Sequence, residues 1–205
     1  MNTASGTASP ASGARSRGRR DLLDVAVVGA GMVGAALALK LAREGFDVAV
    51  IESRAAPAWR AEDDVDLRVV ALAPSSADLL DAVGVWRSIA GARACPYRHM
   101  RVWDALAPGE LNFDAADQAI PELGHIVENR LVQHVLWQAL QGDARIAVRC
   151  PARVTATEAG EDRRTLVLDD GSRIAARLVV AADGGDSALR ELTWAIIASA
   201  RSSPT

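Results

Sequence analysis

Residues 24–52, DVAVVGAGMVGAALALKLAREGFDVAVIE, decide the fold. An apolar run, Val25–Val28, leads into Gly29, Gly31 and Gly34 in G-x-G-x-x-G register. A small-residue helix then runs to the cap-like Gly45, and a second apolar run, Asp47–Ile51, delivers the acid Glu52. Strand, turn, helix and strand make a nucleotide-binding βαβ unit in which each glycine has a mechanical task. Gly29 makes the tight turn, Gly31 lets backbone amides approach a pyrophosphate, and Gly34 lets the helix pack closely on the strand. The phosphates belong at the helix N-terminus, where N–H groups lack intrahelical acceptors and the helix dipole favours an anion. Glu52 is placed to accept hydrogen bonds from both hydroxyls of an adenosine ribose and to repel a 2′-phosphate, which favours FAD or NAD over NADP. A glycine triplet alone is a weak signal, since such triplets also arise in purely structural turns; the flanking strands and the acid at its expected distance strengthen this one.

The 205 residues are 50% hydrophobic and 24% charged, ordinary for one soluble domain with a sizeable core. Net charge is −3, yet Arg15, Arg17, Arg19 and Arg20 stand in the first twenty residues without an acid. The rest therefore sets nineteen basic residues against 26 acids, a balance of −7 that does not suggest a nucleic-acid-binding surface. Cys95 and Cys150 lie far apart, and His99, His125 and His134 are scattered, so neither a metal site nor a disulfide framework is expected. A reduced, cytoplasmic protein is the simplest reading.

Residues 1–20 are rich in Ala, Ser, Gly and Thr and read as a disordered leader. The junction GRRD at residues 18–21 resembles a twin-arginine export signal only superficially, because Asp21 and Asp24 interrupt the approach to the apolar run and the βαβ unit accounts for that run. After Glu52, Pro57 and the acids Glu62, Asp63, Asp64 and Asp66 predict an exposed loop. Leu67–Leu72 turns apolar, and Ser76–Val83 predicts a short helix stopped by Gly84. Arg68 has two readings, as the partner of a cofactor pyrophosphate or as half of a surface ion pair with Asp64 or Asp66. Residues 96–113 predict a hairpin turning at Ala107-Pro108-Gly109, with Met100 and Val102 on one face, and with both faces covered. Leu131, Val132, Val135, Leu136, Ala139 and Leu140 form a helical stripe ending at Gly142. Asn129 at its start reads either as an N-cap or, with Arg130, as a cofactor contact. Ile146–Val148 and Val154–Thr157 suggest strands, and Leu166–Leu168 pairs with Ile174–Ala176 through Asp169-Asp170-Gly171. Leu178–Ala182 is an all-apolar strand that returns to the βαβ sheet, buried on both faces, and runs into Asp183-Gly184-Gly185-Asp186-Ser187. The expected fold is thus α/β, a Rossmann-like sheet with an inserted β-rich segment.

Four separated motifs in order, GAGMVGAALAL with Glu52, DLRVVAL with the following VGVW, LGHIVENRLVQHVLW, and LVVAADGGDSALRE, resemble the flavoprotein aromatic hydroxylases. They look most like the ubiquinone-biosynthesis hydroxylases of the UbiH/UbiF/VisC group, and the resemblance covers roughly residues 21–191, as the N-terminal part of an FAD-binding monooxygenase domain. It implies FAD contacts at Gly29, Gly31, Gly34, Glu52, Arg68, Asn129, Asp183 and Gly184, with Arg190 closing the last motif. It also implies NAD(P)H as transient reductant, O2 as co-substrate, and an aromatic, polyprenylated substrate hydroxylated on its ring, without a metal or a protein nucleophile. Contact with the inner membrane face or with a ubiquinone-biosynthesis complex follows from the same resemblance. The family's second flavin motif, a GDAAH-like segment, would lie beyond residue 191. The fold is therefore expected to be incomplete at the C-terminus, with 192–205 an aberrant or disordered tail. A non-catalytic nucleotide-binding module and an NAD-dependent dehydrogenase are the alternatives.

Overall fold

The computed structural model describes residues 22–106, 109–185 and 187–192. The expected leader, the turn at Ala107-Pro108 and all of the expected tail except Leu192 lie outside the described residues. In chain order the first elements are β1 (Leu23–Val28), α1 (Met32–Arg43), β2 (Val48–Ile51), β3 (Val69–Leu72), α2 (Pro74–Ala82) and α3 (Trp86–Arg93). There follow β4 (Ala94–Tyr97), β5 (His99–Trp103), β6 (Glu110–Asp114), β7 (Gly124–Glu128) and α4 (Asn129–Gly142). The chain then adds β8 (Ile146–Arg149), β9 (Val154–Ala159), β10 (Arg164–Leu168) and β11 (Arg173–Ala181), and residues 188–192 are helical.

The main sheet has the order β8-β2-β1-β11-β10-β9. Its first four strands are parallel, with Val25 opposite Val48 and Leu178, and β10 and β9 continue it antiparallel. Valine and alanine dominate β1 and β2 because both of their faces are covered. Val25, Val27, Val48 and Val50 face α1 and α4, whereas Ala26, Val28, Ala49 and Ile51 join Leu166, Leu168, Ile174 and Leu189 on the other side. Strands β3, β7 and β4 form a separate antiparallel sheet, and β5 with β6 a ribbon, so the inserted β-rich segment is residues 69–128. The later strands β8, β9 and β10, which in sequence read as part of that insertion, instead extend both edges of the main sheet.

The expected stripe on α4 is the buried one, with Leu131, Leu136 and Leu140 at 1% exposure or less. Burying each such side chain contributes about 1.5–3 kcal/mol, against a few tenths from intrinsic helix propensity, so packing fixes this helix. Helix α1 buries Gly34, Ala35, Ala38 and Ala42, small residues that let it sit close to the sheet. Gly45 (φ +93°) ends it in the left-handed conformation, and Arg43 donates to the carbonyls of Ala82 and Val83, satisfying the free end of α2.

Three expectations change. Ile174–Ala176 and Leu178–Ala182 are not two strands: β11 runs unbroken through the exposed Arg177, pairing with β10 over its first half and with β1 over its second. Leu178 is 55% exposed, whereas its neighbours Val179 and Val180 pack against the two sides of the core, so β11 is not buried on both faces throughout. A hairpin forms over 99–114, with Met100 opposite Phe113 and Val102 opposite Leu111, but all of β5 is exposed, so the expected covering of both faces does not hold among the described residues. No helix among the described residues is long and apolar enough to cross a membrane.

Candidate cofactor site

The carboxyl ends of β1, β2 and β11 open into a cleft of about 830 Å3. Gly29 has φ +101° and donates to the Ile51 carbonyl at 2.8 Å; a Cβ there would stand 2.3 Å from the Ala182 oxygen. The Ala30 N–H donates to Glu52 Oε2 at 2.6 Å, and Glu52 Oε1 accepts from Ser53 Oγ and the Arg54 N–H. The acid that follows β2 is thus tied to the glycine turn. A Cβ on Gly34 would lie 2.1 Å from the Gly29 oxygen, so Gly34 is a packing glycine outside the cleft wall. Gly31 differs: φ is −64°, and a Cβ would meet nothing within 4 Å. No protein atom near Gly31 demands glycine, and the space before it opens on the cleft, as a pyrophosphate cradle requires. The first turn of α1 carries no acid, and Lys40 and Arg43 lie in its last, so the positive end of the helix dipole is not neutralised from within the helix.

Arg54, Arg68 and Arg153 line the same cleft, and among the described residues none of their guanidinium groups has a hydrogen bond or ion pair. Asp66 accepts from the backbone N–H of Arg68 at 3.0 Å and leaves the guanidinium free, so the surface-pair reading of Arg68 does not hold. Asp183 and Gly184 (φ +87°) also line it. Asp183 Oδ2 accepts the Leu189 N–H at 3.2 Å, while Oδ1 is buried without a partner. Arg190 closes this motif by donating to the Gly185 carbonyl, and the buried Ser187 hydroxyl accepts the Arg190 N–H at 3.0 Å.

Asn129 is corrected as an N-cap. The cap position is Glu128, without a side-chain cap bond, and Asn129 is the first helical residue. Its carboxamide oxygen accepts from Gln133 Nε2 at 2.7 Å, and it is Gln133, one turn on, that lines the cleft. Arg130 is bound to Asp63 at 2.8 Å instead of facing the cleft. The acidic loop is correspondingly less exposed than expected, with Asp63 and Asp66 half-buried. Glu128 is the buried carboxylate that sequence reasoning missed; its partners Trp59, Asp66 and Arg93 lie 35 to 69 residues away and leave no local signal. Gln133 and Arg54 were within reach of sequence, the first at i+4 from Asn129 and the second two residues past Glu52. Behind the cleft wall, burial and, secondly, the Glu52 charge push the Cys150 thiol above its ordinary range.

Residues 22–199 match the family described as FAD binding domain. The chain is 39% identical over 169 residues to 3-demethoxyubiquinol 3-hydroxylase of Escherichia coli, covering 82% of this chain and 43% of that protein. It is 37% identical over 168 residues to ubiquinone hydroxylase UbiL of Rhodospirillum rubrum, covering 82% and 38%. Among solved structures, p-nitrophenol 4-monooxygenase PnpA of Pseudomonas putida superposes with a TM-score of 0.63 at 26% identity, over 84% of this chain and 44% of that one. The chain spans less than half the length of each of these relatives. With a turn that leaves open space only before Gly31, an acid tied to that turn and a match running over most of its length, the chain belongs to the FAD binding domain family.

Proposed function

We propose that the chain supplies residues 21–191 as the N-terminal part of the FAD-binding domain of a monooxygenase that hydroxylates an aromatic ring in ubiquinone biosynthesis, using NAD(P)H and O2. The observation that carries this is the meeting, in one cleft, of the glycine turn, Glu52, the unpaired Arg68 and the Asp183-Gly184 pair. In this reading backbone amides around Gly31 receive the pyrophosphate, and Arg54, Arg68 and Arg153 supply positive charge for it. Glu52 holds the adenosine ribose. Gln133, braced by Asn129, and Asp183 present polar groups along the remainder of the cofactor. FAD, held there by these residues, would supply the redox chemistry of a hydroxylation that uses NAD(P)H and O2. The protein's part is to bind, orient and exclude water. An NAD-dependent dehydrogenase is disfavoured, because the fingerprint alone would serve NAD and gives no role to Arg68 or Asp183-Gly184. An aromatic substrate of the ubiquinone pathway rests on the named activities of the relatives, and its polyprenyl chain and presentation at a membrane surface are part of the proposal.

Titration of the protein with FAD, followed by quenching of flavin fluorescence, tests the cofactor assignment; saturable quenching is expected, and its absence removes the assignment. The hydroxylase assignment is tested separately by NAD(P)H oxidation in the FAD-loaded protein. Oxidation that rises on adding a polyprenylated phenol supports it, and oxidation indifferent to the phenol sinks it.

A further inference from the structure

The segment between β2 and β3 carries almost nothing into the core, yet it is held at five points. Glu128, 3% exposed, accepts from Trp59 Nε1 at 3.3 Å, from the Asp66 N–H at 3.1 Å and from Arg93 at 3.0 Å. Arg93 also donates to the carbonyls of Ala61 and Asp63, and its guanidinium lies 5.5 Å over the Trp59 ring. Arg130 binds the Asp63 carboxylate, and the Asn129 N–H donates to the Arg68 carbonyl at 2.9 Å. Every second or third residue from 59 to 68 is therefore tied to Arg93 or to the tripeptide Glu128-Asn129-Arg130.

Fold stability does not account for this arrangement. Val65 and Leu67 are 66% and 100% exposed, so the segment buries little apolar surface beyond Trp59. Withdrawing the Glu128 carboxylate from water is costly and is offset only by its particular partners, which makes a buried pair a poor source of stability and a good way of specifying one geometry. What the geometry specifies is the place of Arg68, the last clamped residue and the one that stands in the cleft with an unpaired guanidinium.

We propose that Glu128 is a positioning residue which, through Arg93 and together with Arg130, clamps segment 59–68 so that Arg68 is held in the cofactor cleft. The proposal rests on the reading of that cleft as the FAD site. Glu128 does not line the cleft; it acts on the cofactor through Arg68.

The test is a double-mutant cycle on the 205-residue chain, with FAD affinity measured by fluorescence quenching and backbone hydrogen exchange measured without nucleotide. Glu128→Gln removes the charge at nearly constant volume. It should raise exchange in 59–68 about tenfold or more while leaving the amides of β1 and α1 unchanged, and should weaken FAD about tenfold. In an Arg68→Ala background the same substitution should weaken FAD less than about twofold, because its target is already gone. Equal losses in both backgrounds would mean that Glu128 acts generally on the fold, and would overturn the proposal. So would unchanged exchange in 59–68. If the unsubstituted chain binds no FAD, the cofactor reading falls, and the exchange measurement alone decides the clamp. Should Glu128→Gln fail to fold, Asp63→Asn, which loosens the Arg130 tie at a half-exposed position, carries the same cycle with the same signs.

Discussion

Gly31 and Gly34 stand three residues apart in one fingerprint, and the structure assigns them different obligations. A methyl group on Gly34 would lie 2.1 Å from the Gly29 oxygen and 3.0 Å from the Ala182 Cβ, and ordinary contact begins at 3.4 Å. Helix α1 would have to back away from the turn by roughly 1 Å, and forced overpacking of this kind costs about 1–3 kcal/mol. At about 2–4 °C per kcal/mol for a chain of this size, Gly34→Ala should lower the melting temperature by roughly 2–12 °C. Gly31 has an ordinary φ and empty surroundings, so Gly31→Ala should leave stability unchanged or raise it by up to about 1 kcal/mol, through the unfolded chain. Its methyl group would instead occupy the space before the phosphate cradle. Thermal melting by circular dichroism and FAD titration on the two variants should therefore dissociate, with Gly31→Ala melting normally and binding FAD at least about tenfold more weakly. A Gly31→Ala protein that binds FAD as tightly as the unsubstituted one would refute the assignment of the cradle. A Gly34→Ala protein with unchanged melting would refute the packing argument.

Replacing Glu52 by Ala removes both the proposed ribose acceptor and the acceptor of the Ala30 N–H, so it should weaken FAD and ADP alike by about tenfold; unequal losses would place the carboxylate elsewhere on the cofactor. Burial would raise the Glu128 carboxyl, but bonds from Asp66, Arg93 and Trp59 outweigh it and hold the group below its ordinary 4.5. A depressed folded value contributes stability above the unfolded value and loses it as pH falls through the folded one. The difference in hydrogen-exchange protection of segment 59–68 between the unsubstituted protein and Glu128→Gln should hence be full at pH 6 and shrink below about pH 4.5, with Arg93, Arg130, Asp63 and Asp66 the charged neighbours in both; a difference independent of pH would remove the charge from the argument. In a thiol-reagent assay near pH 8, exposed Cys95 should react ahead of Cys150, whose thiol is raised by burial and by Glu52, and equal rates would contradict the described burial.

The readable parts of the fold were those whose causes are local. The glycine turn with its acid, the stripe on α4 and the hairpin at 166–176 each depend on residues within a few turns of chain, and each forms where its spacing indicates. Strand β11 was read as two because Arg177 breaks the apolar run; an exposed position tolerates a charge without interrupting the hydrogen-bonded ladder. That β8 extends β2 while β9 and β10 extend β11 was not readable, since pairings across a crossover are set by which sheet edge stays open and not by either strand's own sequence. The cleft divides in the same way. Gly31, Glu52, Arg68 and Asp183-Gly184 come together as their motifs indicate, whereas Arg153 arrives through the fold alone and Asn129 reaches the cleft only by way of Gln133.

The bond from the Ala30 N–H to Glu52 also bears on the entropy of binding. A glutamate on a surface turn ordinarily loses rotamer freedom worth up to about 1.5–2 kcal/mol when a ligand fixes it. Here Ala30, Ser53 and Arg54 already hold both carboxylate oxygens, so in the proposed ribose contact that loss belongs to folding and not to ligand capture. The same restraint prevents the carboxylate from swinging aside. Under that proposal a nucleotide with a 2′-phosphate would meet a negative charge that does not relax away, and discrimination at this position would be as rigid as the turn itself.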